Sequence, residues 1–277
     1  MIIQEILSFT ATDGYEWKLH HYSPSDSMSQ GTLVCLHGIQ SHAGWYERSC
    51  RYFAEQGWDV CFLDRRGSGV NQEARGDCPS FRRLLDDVGE FLQEQRQQHP
   101  ERRVILHAVS WGGKPALALL KRHPGLVDGL VLLCPGFFPI VSPPLRQRLR
   151  ILGARLIRPR RRFPVPLDDP YLFTENEKWH EHLRTDPLSL REATARFFVE
   201  SVRLDIYLKR VSTKIGVPIL LVLASEDRII DNAKTRRWIE RFPNVTTLEY
   251  PGAHHTLEFE EQPEPVFANV HKWMSEL

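Results

Sequence analysis

Val104-Ile-Leu-His-Ala-Val-Ser110-Trp-Gly-Gly-Lys-Pro115 runs from an apolar strand, through small residues around one serine, into a helix that continues to Arg122. A serine held in a sharp strand-to-helix turn needs small residues two places before and two places after it, because strand and helix approach closely there. Ala108 and Gly112 occupy those places. The usual pattern has glycine at both, and alanine still fits because it adds only a methyl. The turn also sets the serine at a helix N-terminus, whose free N–H groups favour developing negative charge. In isolation the same residues describe a serine capping an ordinary helix, so the surrounding pattern has to decide.

Outward from this turn, the apolar runs Leu33–Leu36, Val60–Leu63, Leu130–Cys134, Ile219–Ala224 and Thr246–Tyr250 alternate with helical stretches such as Trp45–Gln56 and Phe81–Gln98. Runs without polar alternation suit strands covered on both faces, as in a parallel sheet between helices. Ahead of them, Ile2–Phe9 and Glu16–Tyr22, joined through Asp13-Gly14, read as an antiparallel hairpin followed by a loop over 23–30. The fold class is therefore α/β: a mostly parallel, doubly wound sheet opened by an N-terminal antiparallel hairpin. The rhythm breaks between Phe137 and Thr213, where no strand is expected, and resumes at Ile215. The expected division is a core of residues 1–136 and 213–277, with residues 137–212 inserted as a helical cap between two late strands.

Three strand ends carry the chemistry. The strand Leu33–Leu36 ends in His37-Gly38-Ile39, where the Ile39 N–H and the Trp111 N–H would together hold a tetrahedral oxyanion. The strand at Val217–Ala224 ends in Ser225-Glu226-Asp227 and presents an acid. The strand Thr246–Tyr250 ends in Pro251-Gly252-Ala253-His254-His255 and presents a histidine. A serine needs a base and the base needs an orienting carboxylate. All three arise at one edge of the sheet, where ligands bind in open α/β folds.

With these motifs, the chain resembles the α/β-hydrolase superfamily, and within it the monoacylglycerol lipase and lysophospholipase branch, over nearly its whole length. The resemblance rests on His37-Gly38 with His42 and Trp45-Tyr46, on Asp64-Arg65-Arg66-Gly67-Ser68-Gly69, on the turn at Ser110, on Ser225–Asp231 and on Gly252–His255. It implies a triad of Ser110, Asp227 and His255, with Asp231 one turn beyond the acid and His254 only a neighbour of the base. It also implies that the cap, with Asp186-Pro187 in its second half, is a lid. Ala108 in place of glycine, and Ser68 where many relatives have histidine, depart from the pattern without touching the reacting groups. The implied protein is a carboxylic ester hydrolase acting through an acyl-serine on a small acyl ester, a monoacylglycerol or a lysophospholipid, with neither metal nor organic cofactor. The same triad would serve a general carboxylesterase, a thioesterase, an acyltransferase or an aminopeptidase, and a silent binding protein is the non-enzyme alternative. An aspartate would be expected at position 110 in a haloalkane dehalogenase.

Other signals are weak. His20-His21, His180 and His182 read as solvated surface, and His107 as a satisfied core histidine under the turn. Gly67-x-Gly69 lacks the third glycine of a dinucleotide site. Asp64 and Arg66 read as loop braces. Five cysteines without a C-x-x-C motif argue against a disulfide framework, with Cys50 and Cys78 expected nearer the surface. A net charge of +1 gives no sign of nucleic-acid binding, and 42% apolar with 26% charged residues excludes a disordered chain. The uncharged stretch Gly129–Leu145 is broken by four prolines, so no membrane span is expected, and a cytoplasmic location is the default.

The even balance hides a local asymmetry. Eight arginines and no acid fall between Phe137 and Leu167, giving the insertion 137–212 a net charge of +6. Ser142-Pro143 reads as a helix start and Arg158-Pro159 as a stop, with Leu145, Leu149, Leu152 and Leu156 in one stripe. One expectation packs these leucines on the core with a basic face in water. The other has the lid touch an anionic membrane surface peripherally.

Overall fold

A computed structural model describes residues 2–24 and 29–277, so residues 25–28 of the expected 23–30 loop lie outside it. Eight strands form the main sheet: β1 (Ile2–Thr10), β2 (Glu16–Pro24), β3 (Gly31–Leu36), β4 (Trp58–Leu63), β5 (Arg103–Val109), β6 (Gly129–Leu133) and, after the insertion, β9 (Ile219–Ala224) and β10 (Val245–Tyr250). Their order is β1-β2-β4-β3-β5-β6-β9-β10, with β1 and β2 antiparallel and the run from β4 to β10 parallel. Every residue of β3, β6 and β9 is buried, as expected of their apolar runs, and Thr32 of β3 is buried with them. β10 differs from expectation. It is an edge strand with half-covered residues, because no strand among the described residues lies beyond it.

Helices cover the sheet in two layers, α1 (Glu47–Glu55) packing with α8 (Glu264–Ser275) and α2 (Phe81–Gln98) with α3 (Gly113–Arg122). The Ser80 side chain caps α2 by accepting the Arg83 N–H at 3.1 Å, and Phe81, Leu84, Leu85, Val88, Phe91 and Leu92 form its buried stripe. α7 (Asn232–Ile239) starts from an Asp231 cap that accepts the Lys234 N–H at 2.9 Å.

The insertion holds α4 (Leu145–Ile157), β7 (Arg162–Pro164), α5 (His180–Thr185), β8 (Glu192–Thr194) and α6 (Ala195–Leu208). The β7–β8 ribbon corrects the expectation of no strand there; three residues per strand leave no readable alternation. The expectation that packs the leucine stripe on the core is corrected as well. α4 buries Ile151 and Ala154 against Phe163 and Ala195, while Leu145, Leu149, Leu152 and Leu156 are 71, 61, 57 and 86% exposed. The insertion is tied to the sheet edge by backbone bonds from Leu190 to Gln40 and from Thr256 to Phe173. No helix among the described residues is long and apolar enough to cross a membrane.

Candidate active site

β5 ends at Val109, and Ser110 takes φ +53°, a left-handed conformation that costs a non-glycine residue about 1–3 kcal/mol. The close packing expected around it is present. A Cβ on Gly112 would sit 2.7 Å from the His37 carbonyl oxygen and 2.8 Å from that of Leu36. Ala108 is fully buried, and the Gly136 N–H bonds the Ser110 carbonyl at 2.8 Å.

The structure brings the three expected side chains together across 145 residues of chain. Ser110 Oγ lies 2.8 Å from His255 Nε2, and His255 Nδ1 lies 2.7 Å from Asp227 Oδ2. The other carboxylate oxygen of Asp227 accepts the N–H groups of Ile229 and Ile230 at 2.8 and 3.0 Å, so both oxygens are committed and the side chain is shut from solvent. With the carboxylate accepting at Nδ1, the ring's Nε2 is left to accept from the serine hydroxyl. The two doubtful pairs separate. Asp231 caps α7, and His254 turns to Glu260, 3.2 Å from its Nδ1.

Ile39 and Trp111 line the same cavity as Ser110. The Ile39 N–H has no hydrogen-bond partner among the described residues. Gly38 lies hard against the serine, since a Cβ there would be 3.3 Å from Ser110 Cβ. His37 is neutral and oriented: burial, then the charge of Arg65, lowers it well below the usual range, while its Nδ1 bonds Gly38 O at 2.7 Å and its Nε2 accepts the Arg65 N–H at 2.9 Å.

The cavity measures about 480 Å³. Pro139, Val141, Ile151, Leu167, Phe198 and Ile229 give it apolar walls from the insertion and from the acid loop. Of the segment 137–141 that follows β6, only Pro139 and Val141 line it; Phe137 and Phe138 turn onto Trp238. Its one lining carboxylate among the described residues, Asp205, is tied to Lys114 Nζ at 2.7 Å.

Two features escaped the sequence. Asp186 fastens the insertion to the His37–Tyr46 loop, accepting from Trp45 Nε1 at 2.6 Å and lying 2.8 Å from His42 Nε2. Burial opposes its charge, but the bonds from His42 and Trp45 outweigh burial and hold the carboxyl well below the ordinary range. Glu258, buried near His255 and accepting the Ser49 N–H at 2.9 Å, is pushed by burial up to about 7. Several bland readings change too. His180 is buried on the Thr174 carbonyl, and His20 and His21 are only partly exposed. His107 is buried with Nδ1 unpartnered, and burial lowers it to about 4. All five cysteines are free and buried, Cys50 and Cys78 included. Asp64 braces its loop through the Ala43 and Val70 N–H groups, and Arg66 through Asp87 and Asp13. Cys134, Asp227 and His255 offer donor atoms within 4.8 Å of one another. Burial, then the charge of Asp227, pushes that thiol well above its usual range, so a metal would have to displace its proton and the Asp227–His255 bond.

This fold and this edge of the sheet define an α/β-hydrolase. The profile of the Hydrolase_4 family, described as serine aminopeptidase, S33, matches residues 27–262, and the chain belongs to that family. It is 25% identical to human monoglyceride lipase, over 99% of this chain and 91% of that protein. It is 26% identical to lysophospholipase L2 of Escherichia coli K12, over 83% and 75%. Among solved structures, Paleococcus ferrophilus monoacylglycerol lipase superposes with a TM-score of 0.80 at 20% identity, covering 99% of both chains. A soluble variant of the Saccharomyces cerevisiae monoglyceride lipase, solved with a substrate analogue, gives 0.82 at 18% identity, over 99% and 94%.

Proposed function

We propose that this chain is a serine hydrolase that cleaves the carboxylic ester of monoacylglycerols or lysophospholipids. The observation that carries the proposal is the unbroken relay Ser110–His255–Asp227 opening into an apolar cavity of about 480 Å³. In this reading His255 Nε2 takes the Ser110 proton as Oγ attacks the ester carbonyl. The tetrahedral oxyanion forms beside the N–H groups of Ile39 and Trp111, each worth ~3 kcal/mol. The proton passes to the departing alcohol, and an acyl-serine remains. Water then gives its proton to His255 and releases the fatty acid. Asp227 keeps the imidazole in the required tautomer. The relatives named as monoglyceride lipase and lysophospholipase L2 support this substrate class.

The family description favours a second reading, aminopeptidase activity. A cationic α-amine would need an acidic partner in the cavity, and the lining carboxylate is already paired with Lys114. A panel of p-nitrophenyl esters of rising chain length beside aminoacyl-nitroanilides separates the two. Each buried methylene is worth about 0.8 kcal/mol, so octanoyl and longer esters should exceed acetate in kcat/KM. Acetate preference would point to a general carboxylesterase, and nitroanilide turnover alone would remove the ester reading.

We further propose that residues 137–212 act as the cap of a core made of 1–136 and 213–277, and that this cap touches anionic membrane peripherally. Four outward leucines on α4, flanked by exposed Arg146, Arg148 and Arg150 and the Arg160–Arg162 run, support that contact. Leu152 and Arg148 also line the cavity, so its mouth lies beside the lipid-facing stripe. Five unpaired, buried thiols fit a reducing, cytoplasmic setting.

A further inference from the structure

Arg65 follows β4 by two residues and makes no ion pair among the described residues. Its hydrogen bonds go mainly to backbone: Nη1 to the Gly38 carbonyl at 3.2 Å and Nη2 to the Ile39 carbonyl at 3.1 Å, with Ser68 Oγ at 3.4 Å. The guanidinium carbon lies 4.8 Å from the Trp111 ring centre and 5.2 Å from that of Phe197. Nε is buried without a partner, and burial lowers the group to about 10, which still leaves it a cation at neutral pH. A charge kept in such surroundings, bound to carbonyls and ring faces rather than to an acid, calls for a reason.

The geometry of one peptide supplies it. The chain has no cis peptide bond among the described residues, so the Gly38 carbonyl and the Ile39 N–H point in opposite directions within one rigid plane. The carbonyl is held on one side by two donors, His37 Nδ1 at 2.7 Å and Arg65. That leaves the N–H aimed away from them. A glycine at the pivot would otherwise let this peptide turn over easily. A cation bonded to the carbonyl also polarises the amide and strengthens its N–H as a donor. The same guanidinium braces the indole of Trp111, the residue that carries the second donor.

We propose that Arg65 is a positioning residue that locks the Gly38–Ile39 peptide, and with it both N–H donors of the oxyanion hole, in the orientation that receives a tetrahedral intermediate. This rests on the reading of Ser110 as an acyl-transfer nucleophile. Arg65 touches no substrate and acts through Ile39 and Trp111.

The test compares wild type, Arg65→Met and Arg65→Lys on p-nitrophenyl octanoate, with two inhibitors alongside. An octyl trifluoromethyl ketone forms a tetrahedral adduct and needs the hole, whereas 1-octanol fills only the cavity. Arg65→Met should lose ~10²-fold in kcat, the scale of one missing oxyanion donor. KM should stay within ~3-fold, ketone affinity should fall in parallel with kcat, and octanol inhibition should be unchanged. Arg65→Lys, which keeps the charge and one carbonyl bond, should lie between. If Arg65→Met does not fold, Arg65→Gln carries the same pattern with a loss of ~10-fold. The proposal is overturned if kcat holds within ~3-fold, or if ketone and octanol affinities fall together, which would mark a collapsed cavity. Wild type that neither hydrolyses esters nor binds the ketone would instead remove the Ser110 reading itself.

Discussion

α3 and α4 both follow a strand of the main sheet and both carry a leucine-rich sequence, yet they live in opposite surroundings. In α3 every residue from Gly113 to Leu120 is buried, between α2 and α6 and against β5 and β6. In α4 only Ile151 and Ala154 are buried, and four leucines face outward among arginines. A leucine buried in α3 contributes about 1.5–3 kcal/mol to folding. One on the outer face of α4 contributes almost nothing, so its apolar surface is available for another purpose. An exposed apolar patch rimmed by like charges marks an interaction surface rather than a core. The comparison divides the two tasks of the proposed enzyme. α3 holds Ser110 rigidly at its head, and α4 offers a surface from which lipid could reach the cavity.

The largest effect should come at the head of α3. Ser110→Ala is expected to lower ester turnover by at least ~10⁴-fold with an unchanged melting temperature, and His255→Ala by ~10³-fold or more. Asp227→Asn should cost somewhat less, and His254→Ala should stay near wild type in the same steady-state assay. A dead His254→Ala with an active His255→Ala would reverse the histidine assignment.

A paired substitution then sharpens the contrast between the helices. Leu117→Ala, in the fully buried face of α3, should cost about 2–5 kcal/mol in urea unfolding. Leu149→Ser on α4 should stay within ~0.5 kcal/mol. Vesicle co-sedimentation should show the reverse order. Binding should require anionic lipid and weaken as salt rises, and Leu149→Ser should reduce it. Replacing Arg160, Arg161 and Arg162 by glutamine should remove ~1 kcal/mol per charge. Equal binding to neutral and anionic vesicles, or a Leu149→Ser variant as unstable as Leu117→Ala, would erase the distinction.

The same contrast explains what could be read from the letters alone. β3, β6, β9 and the turn at Ser110 were legible because burial on both faces leaves uninterrupted apolar runs, and a strained serine leaves small neighbours. The partners on the sheet edge followed from strand ends. Periodicity revealed the α4 stripe but not its direction, since the spacing of leucines along one helix carries no information about what faces them. Arg65 stayed hidden because its partners are backbone carbonyls, which every residue has. The bonds of Asp186 stayed hidden because His42 and Trp45 lie more than 140 residues away. The β7–β8 ribbon, three residues per strand, is too short for any pattern.

The central claim is that Ser110 is the activated nucleophile of an acyl-transfer site. It is tested most directly by treating the whole protein with a long-chain fluorophosphonate and mapping the adduct by peptide mass spectrometry. One adduct per chain is expected, on the peptide containing Ser110, absent from Ser110→Ala and blocked by prior incubation with a monoacylglycerol. An unlabelled protein, or an adduct on any other residue, would contradict the account.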